Sequence, residues 1–164
     1  MERGRILDVI GTLARLGLAA VWLVSGAIKA LDPDQTYIAV RAYDVLPADV
    51  VSVVATVLPF LELAIGVLLL VGLGTRAVAA LSALVLVVFI AGVVQAWARG
   101  LSIDCGCFGG GGQVAPDATA YGTEVLRDLG FLLLAGWLIV RPRTLFALDG
   151  RLESRPPVRS GERN

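Results

Sequence analysis

Residues 77–98 read AVAALSALVLVVFIAGVVQAWA, 22 positions with neither a charge nor a proline. An α-helix needs about 20 apolar residues to cross a hydrocarbon core of about 30 Å, so this stretch alone predicts a membrane-crossing helix. Two comparable runs precede it, from about Ile10 to Leu31 and from about Val50 to Leu73, and a shorter one follows from about Val125 to Val140. The last reaches a spanning length only if its outer turn, with Glu124, Arg127 and Asp128, lies at the interface or inside a bundle. Backbone polar groups in lipid must be satisfied within the segment, which helices do. The fold class expected is therefore an all-α membrane protein, a four-transmembrane-helix bundle.

Composition agrees with lipid as the solvent. Of 164 residues, 57% are hydrophobic, and the 17% that are charged gather at the two ends and in three short connections. Net charge is zero and histidine is absent, which removes a nucleic-acid footprint and any imidazole base or ligand. The bilayer is the partner implied, and nucleic acid is not.

Orientation follows from the basic residues, which short cytoplasmic loops retain. Arg3, Arg5, Arg15, Arg76, Arg141, Arg143, Arg151, Arg155, Arg159 and Arg163 make ten of the fourteen basic residues on one side. Lys29, Arg41, Arg99 and Arg127 remain for the other, where aspartates outnumber them. A multi-pass protein of the cell membrane with both termini cytoplasmic is expected. Trp97 and Trp137 fall near helix ends, as indole rings in the headgroup region do, whereas Trp22 is mid-helix. A cleavable signal peptide is disfavoured, because the first apolar core is too long and Lys29 interrupts the small-residue site. The organisation expected is a cytoplasmic N-terminus over 1–9, a membrane domain over 10–145 and a disordered cytoplasmic tail over 146–164.

The first outer connection carries a helix signal. Asp32 is a capping residue, Pro33 stands at the first helical position and Gln35 completes a capping box, so a short helix from Pro33 to about Val45 should follow. Tyr37, Ile38, Arg41, Ala42 and Val45 give it a largely apolar side. It either lies on the outer surface and roofs the last outer loop, or serves as an ordinary amphipathic connector.

That loop holds the only two cysteines, in Asp104-Cys105-Gly106-Cys107-Phe108 followed by Gly109 to Gly112. The predicted topology puts them in the more oxidising compartment, where a disulfide is permitted. Two cysteines one residue apart close so small a ring that the preferred torsions are met only with strain, and strained, exposed disulfides are readily reduced. Gly106 and the glycine run give the backbone freedom and leave room for an incoming thiol. Cys105 and Cys107 are the candidate catalytic pair for thiol–disulfide exchange. A staple is disfavoured because the bridge constrains almost no chain. A metal site would need two further ligands or a linear cuprous ion, and inert thiols would sit oddly in a glycine-rich surface loop.

Glu62 is the second candidate. It sits near the middle of the second apolar segment, where an acidic residue costs about 2.5–3.5 kcal/mol, so it should face the bundle interior. Pro59 and Gly66 share its face, and the glycine permits close approach of a neighbouring helix. Lys29 and Arg127 are its candidate partners. The cluster either fixes helix packing or carries protons linked to the cysteine pair.

These residues carry a family resemblance. Pro59-Phe60-Leu61-Glu62 with Gly66, Cys105-Gly106-Cys107-Phe108-Gly109, Ser25-Gly26 and Lys29 ahead of Asp32-Pro33, and Arg127 resemble the MauE branch of the DoxX-like membrane proteins, over roughly residues 10–141. The resemblance implies a family tied to methylamine utilisation in some bacteria, thought to help mature a disulfide-rich dehydrogenase subunit together with a thioredoxin-like partner. DoxX relatives more broadly are associated with membrane redox complexes and generally lack this cysteine motif.

The expected function is membrane thiol–disulfide exchange with an extracytoplasmic thioredoxin-like or substrate protein. A quinone held between helices is the economical electron carrier, although no motif marks one and no other cofactor is implied. The rival reading is a non-catalytic assembly or scaffold subunit. A transporter, the third reading, would require a homodimer.

Overall fold

The computed structural model describes residues 2–106 and 109–149 of the chain; Cys107, Phe108 and the tail from residue 150 lie outside the described residues. Five α-helices run in order: α1 (Glu2–Leu31), α2 (Pro33–Ala42), α3 (Ala48–Val71), α4 (Thr75–Ala98) and α5 (Tyr121–Val140). Three of them, α1, α3 and α4, are long and apolar enough to cross a membrane. The chain is an α-helical membrane protein. Between α4 and α5, the two-residue strands β1 (Ile103–Asp104) and β2 (Gly112–Gln113) pair antiparallel, with Ile103 opposite Gln113 and Asp104 opposite Gly112. These two strands form a two-stranded sheet.

The long helices alternate in direction, so the bundle has a cysteine end and a tail end. α1 packs chiefly on α3, and α4 chiefly on α5. At the α1–α3 crossing the backbones approach closely: a Cβ on Gly66 would stand 2.7 Å from Leu23 Cγ, and one on Gly26 would stand 2.9 Å from the Pro59 carbonyl oxygen. Small residues at such a crossing let helices gain van der Waals contact where no hydrophobic drive exists between them. Leu18, Ala19, Trp22, Ile65, Leu69, Ala79, Ala135 and Leu138 form the interior. Mid-helix Trp22 is buried there, donating its Nε1 proton to Ser82 Oγ at 2.7 Å. The exterior is as apolar as the core: Leu13, Val53, Phe60, Leu84, Leu126 and Leu133 all point outward. A surface of that kind belongs in hydrocarbon.

The tail end is closed by two caps borrowed from elsewhere in the chain. Gly72, at φ 69°, ends α3 with its N–H on the Leu68 and Leu69 carbonyls. Arg15, 2% exposed, donates to the Leu69 and Leu70 carbonyls at 2.8 and 3.0 Å and to that of Leu145. Asp149 receives the Gly74 and Thr75 N–H groups at 2.7 and 2.8 Å and so caps α4, whose own N-cap glycine has no side chain. Cation at a helix C-terminus and anion at an N-terminus both suit the helix dipole. Two expectations change here. Arg15, counted above among the basic residues on the cytoplasmic side, is a buried cap, and residues 146–149, assigned above to the tail, meet the bundle through Ala147 and Asp149. The rest of that tail lies outside the described residues.

At the cysteine end α2 stops at Ala42, three residues short of Val45, because Asp44 takes φ 50° and turns the chain toward α3.

Candidate functional site

The cysteine loop is held from three sides. Tyr121, the first residue of α5, donates its hydroxyl proton to the Leu101 carbonyl at 2.6 Å and accepts from the Ile103 N–H at 3.0 Å. The Asp104 carboxylate accepts from the N–H groups of Gly106 and Gly111 at 3.4 and 3.2 Å, which folds the loop back over β1. From α2, Gln35 Nε2 donates to the Gly110 and Gly111 carbonyls at 2.9 and 2.7 Å. The expected capping box is thus half present: Asp32 caps the Gln35 N–H at 3.0 Å, but the Gln35 side chain goes to the loop. Gly106 has φ 67°, and a Cβ on it would stand 2.8 Å from Ala39 Cβ of α2. The described part of the loop therefore packs against α2 through Gly106, Gly110 and Gly111.

Cys105 meets α5 at its first turns. The Glu124 carboxylate accepts from the Cys105 thiol and from the Cys105 backbone N–H. Arg127 Nη2 is 3.8 Å from Cys105 Sγ, and the same guanidinium pairs with Asp128 at 3.1 Å. The Cys105 carbonyl accepts from the Tyr43 hydroxyl at 3.2 Å. Glu124, Arg127 and Asp128 stand at i, i+3 and i+4, on one face of α5. Glu124 and Asp128 are buried, so this charged turn lies inside the bundle. Among the described residues Glu124 Oε2 and Asp128 Oδ2 have no hydrogen-bond partner.

Deeper in the bundle, Lys29 of α1 meets Glu62 of α3. Lys29 Nζ lies 2.9 and 3.0 Å from the two Glu62 oxygens and 2.6 Å from Ser25 Oγ, which in turn donates to Glu62 Oε2 at 3.0 Å. Glu62 is 0% exposed. Of the two candidate partners, Lys29 takes Glu62 while Arg127 goes to Asp128 and the thiol. The charged groups thus pair as Glu62 with Lys29 and as Asp128 with Arg127, the second pair beside Cys105.

The arrangement gives Cys105 a carboxylate to take its proton and a guanidinium to hold the resulting thiolate. Asp104, Cys105 and Glu124 also place three ligand-type atoms within 4.8 Å of one another. A cation there would face the Arg127 charge beside the same sulfur, so the donor set fits a proton better than a metal. Sequence reading found Cys105 and Arg127 but gave Glu124 and Asp128 no role. Their i, i+4 spacing with Arg127 between, in an otherwise apolar helix, was the available signal.

Fold and site together define an α-helical membrane protein that carries a thiol on a clamped loop at one end of its bundle. Over residues 7–141 the chain matches the family described as Methylamine utilisation protein MauE, and it belongs to that family. Comparison with the curated proteins and with the solved structures gave no match.

Proposed function

We propose that this protein is a membrane thiol–disulfide exchange protein in which Cys105 and Cys107 trade electrons with an extracytoplasmic thioredoxin-like or substrate protein. The observation that carries this reading is the Cys105 sulfur, bonded by Glu124 and 3.8 Å from Arg127. Exchange runs through thiolates, and the same guanidinium serves the Cys105 sulfur as nucleophile and as leaving group. Glu124 takes the thiol proton. The thiolate attacks a partner disulfide to give a mixed disulfide, which Cys107 resolves; the reverse sequence returns the partner to the oxidised form. Lys29 and Glu62 fix the packing on which Arg127 and Asp128 are placed.

The family name supports a role in methylamine utilisation, and the exchange reading makes a disulfide-bearing protein the substrate. Four crossings and cytoplasmic termini complete the proposal. α5 supports the fourth crossing by running from Tyr121 beside the loop to Arg141, which pairs with Asp8 at 3.0 Å at the tail end. The basic residues support the orientation even with Arg15 set aside as a cap.

The test is maleimide mass-tagging of native membranes across a series of thiol–disulfide buffers. Tags should appear reversibly, from the outer face, at a potential above that of a structural disulfide. Thiols that stay reduced in every buffer, or react only from the cytoplasmic face, would end the exchange reading and leave a scaffold subunit.

A further inference from the structure

The Arg127 guanidinium is shared between a carboxylate and a sulfur. Its Nη2 lies 3.1 Å from Asp128 Oδ1 and 3.8 Å from Cys105 Sγ, and its Nε donates to the same Asp128 oxygen at 3.1 Å. A guanidinium is planar and holds its donors in a fixed fork. With the Nε and Nη2 edge gathered on one oxygen, the plane is fixed in rotation. Nη2 carries two hydrogens, so one serves that edge and the other remains for the sulfur. The contact is not one that helix geometry supplies by itself. Neighbours in sequence point about 100° apart around an α-helix and do not face each other. The Arg127 side chain therefore curls along the surface of α5 to meet Asp128, and it stays 32% exposed against 4% for its partner.

Burying a carboxylate is costly unless it is paired. Among the described residues Arg127 is the hydrogen-bond partner of Asp128, whose second oxygen has none. What Asp128 does for the site it therefore does through Arg127. We propose that Asp128 is a positioning residue for the Cys105 thiol, holding the Arg127 guanidinium within reach of the sulfur. Without that grip the guanidinium turns toward the exterior and the thiolate loses its cation. The inference deepens the exchange reading and rests on it for the use to which the thiolate is put. Two effects of opposite sign meet in this one side chain. Its own negative charge disfavours a thiolate nearby, whereas its hold on Arg127 favours one. Substitutions at position 128 separate the two.

The experiment measures the rate of iodoacetamide alkylation against pH on the reduced full chain in detergent, with Cys107→Ser throughout so that Cys105 is the sulfur read. The other charges about that sulfur are the same in every variant: Glu124 and Asp104 beside it, and Lys29 and Asp32 lining the cavity that Cys105 also lines. Asp128→Ala should raise the midpoint of the profile and lower the rate on its acid side by about ten-fold. Asp128→Asn keeps the acceptor oxygen and drops the charge, so its midpoint should stay at the parent value or fall. Asp128→Glu keeps the charge but carries the oxygens one methylene farther, so its midpoint should rise; it decides the question should the alanine variant fail to fold. In an Arg127→Leu chain, Asp128→Ala should give no further rise. A fall in both the alanine and the asparagine variants would make Asp128 a charge acting through space, and an equal rise in all three variants would make it a structural part of the loop. A further rise without Arg127, or no shift in any variant, would mean that Asp128 does not act through the guanidinium. Each of these results overturns the proposal. The exchange reading is read separately: parent cysteines that never titrate in redox buffers remove it and leave the midpoint shifts standing.

Discussion

At the scale of single residues, the pivotal contact is between Arg127 and Cys105, 3.8 Å apart across the start of α5 and the end of β1. A positive charge at that distance favours thiolate over thiol, and one pKa unit of such preference corresponds to about 1.4 kcal/mol and a ten-fold change in thiolate fraction. Arg127→Leu should therefore slow alkylation of Cys105 at neutral pH by about ten-fold, measured with iodoacetamide on the reduced protein. Arg127→Lys should restore much of the rate, because the charge remains. Equal slowing in both variants would point to altered loop structure and count against electrostatic activation. The cysteines were legible in the sequence, since two thiols in a glycine-rich loop have few structural uses. The pairing around them was not. Glu62 could be read as inward-facing because lipid penalises a lone carboxylate, yet which cation met it depended on the α1–α3 crossing, which lies far apart in sequence.

At the scale of elements, the Lys29–Glu62 pair joins α1 to α3 where the backbones nearly touch. Removing one member of a buried pair leaves an unmatched charge and typically costs about 3–5 kcal/mol, whereas replacing both with apolar side chains is often close to neutral. Lys29→Met or Glu62→Leu alone should lower the melting temperature in detergent sharply, and the double variant should recover most of the loss. The recovered double variant should also keep cysteine redox turnover, as a packing role requires. Loss of turnover in a stable double variant would make the pair a proton path. Among the helices, α2 shows how far local signals reach. Asp32 and Pro33 mark its start correctly, because capping depends on neighbours in sequence. The destination of its Gln35 side chain depends on the glycine loop, some 75 residues away.

At the scale of the molecule, the apolar runs disclosed α3, α4 and the end of α1 within a few residues, since burial in lipid acts on every position of a segment at once, whereas α1 begins at Glu2, well before the run read from Ile10. The closure of the tail end was hidden, because Arg15 and Asp149 resemble ordinary flanking charges until the α3–α4 hairpin is built. Burial pushes the Asp149 carboxyl upward, but the N–H groups of Thr75 and Gly74 and the Arg15 charge outweigh it and hold the group below its ordinary value. A carboxyl lowered in this way stabilises the fold fully above its unfolded pKa, about 3.9, and the contribution fades as pH falls through the lower folded value. Asp149→Ala should cost about 1 kcal/mol at neutral pH, the usual worth of an N-cap, and the gap between variant and parent melting curves should narrow below about pH 4. A gap independent of pH would mean that the carboxylate is not the cap. The cap also sets an order of events during synthesis. Asp149 stands 75 positions beyond the Gly74 N–H it receives. A ribosome adds this carboxylate long after the turn it caps, so a chain that stopped before Asp149 would leave the Gly74 and Thr75 N–H groups without this acceptor.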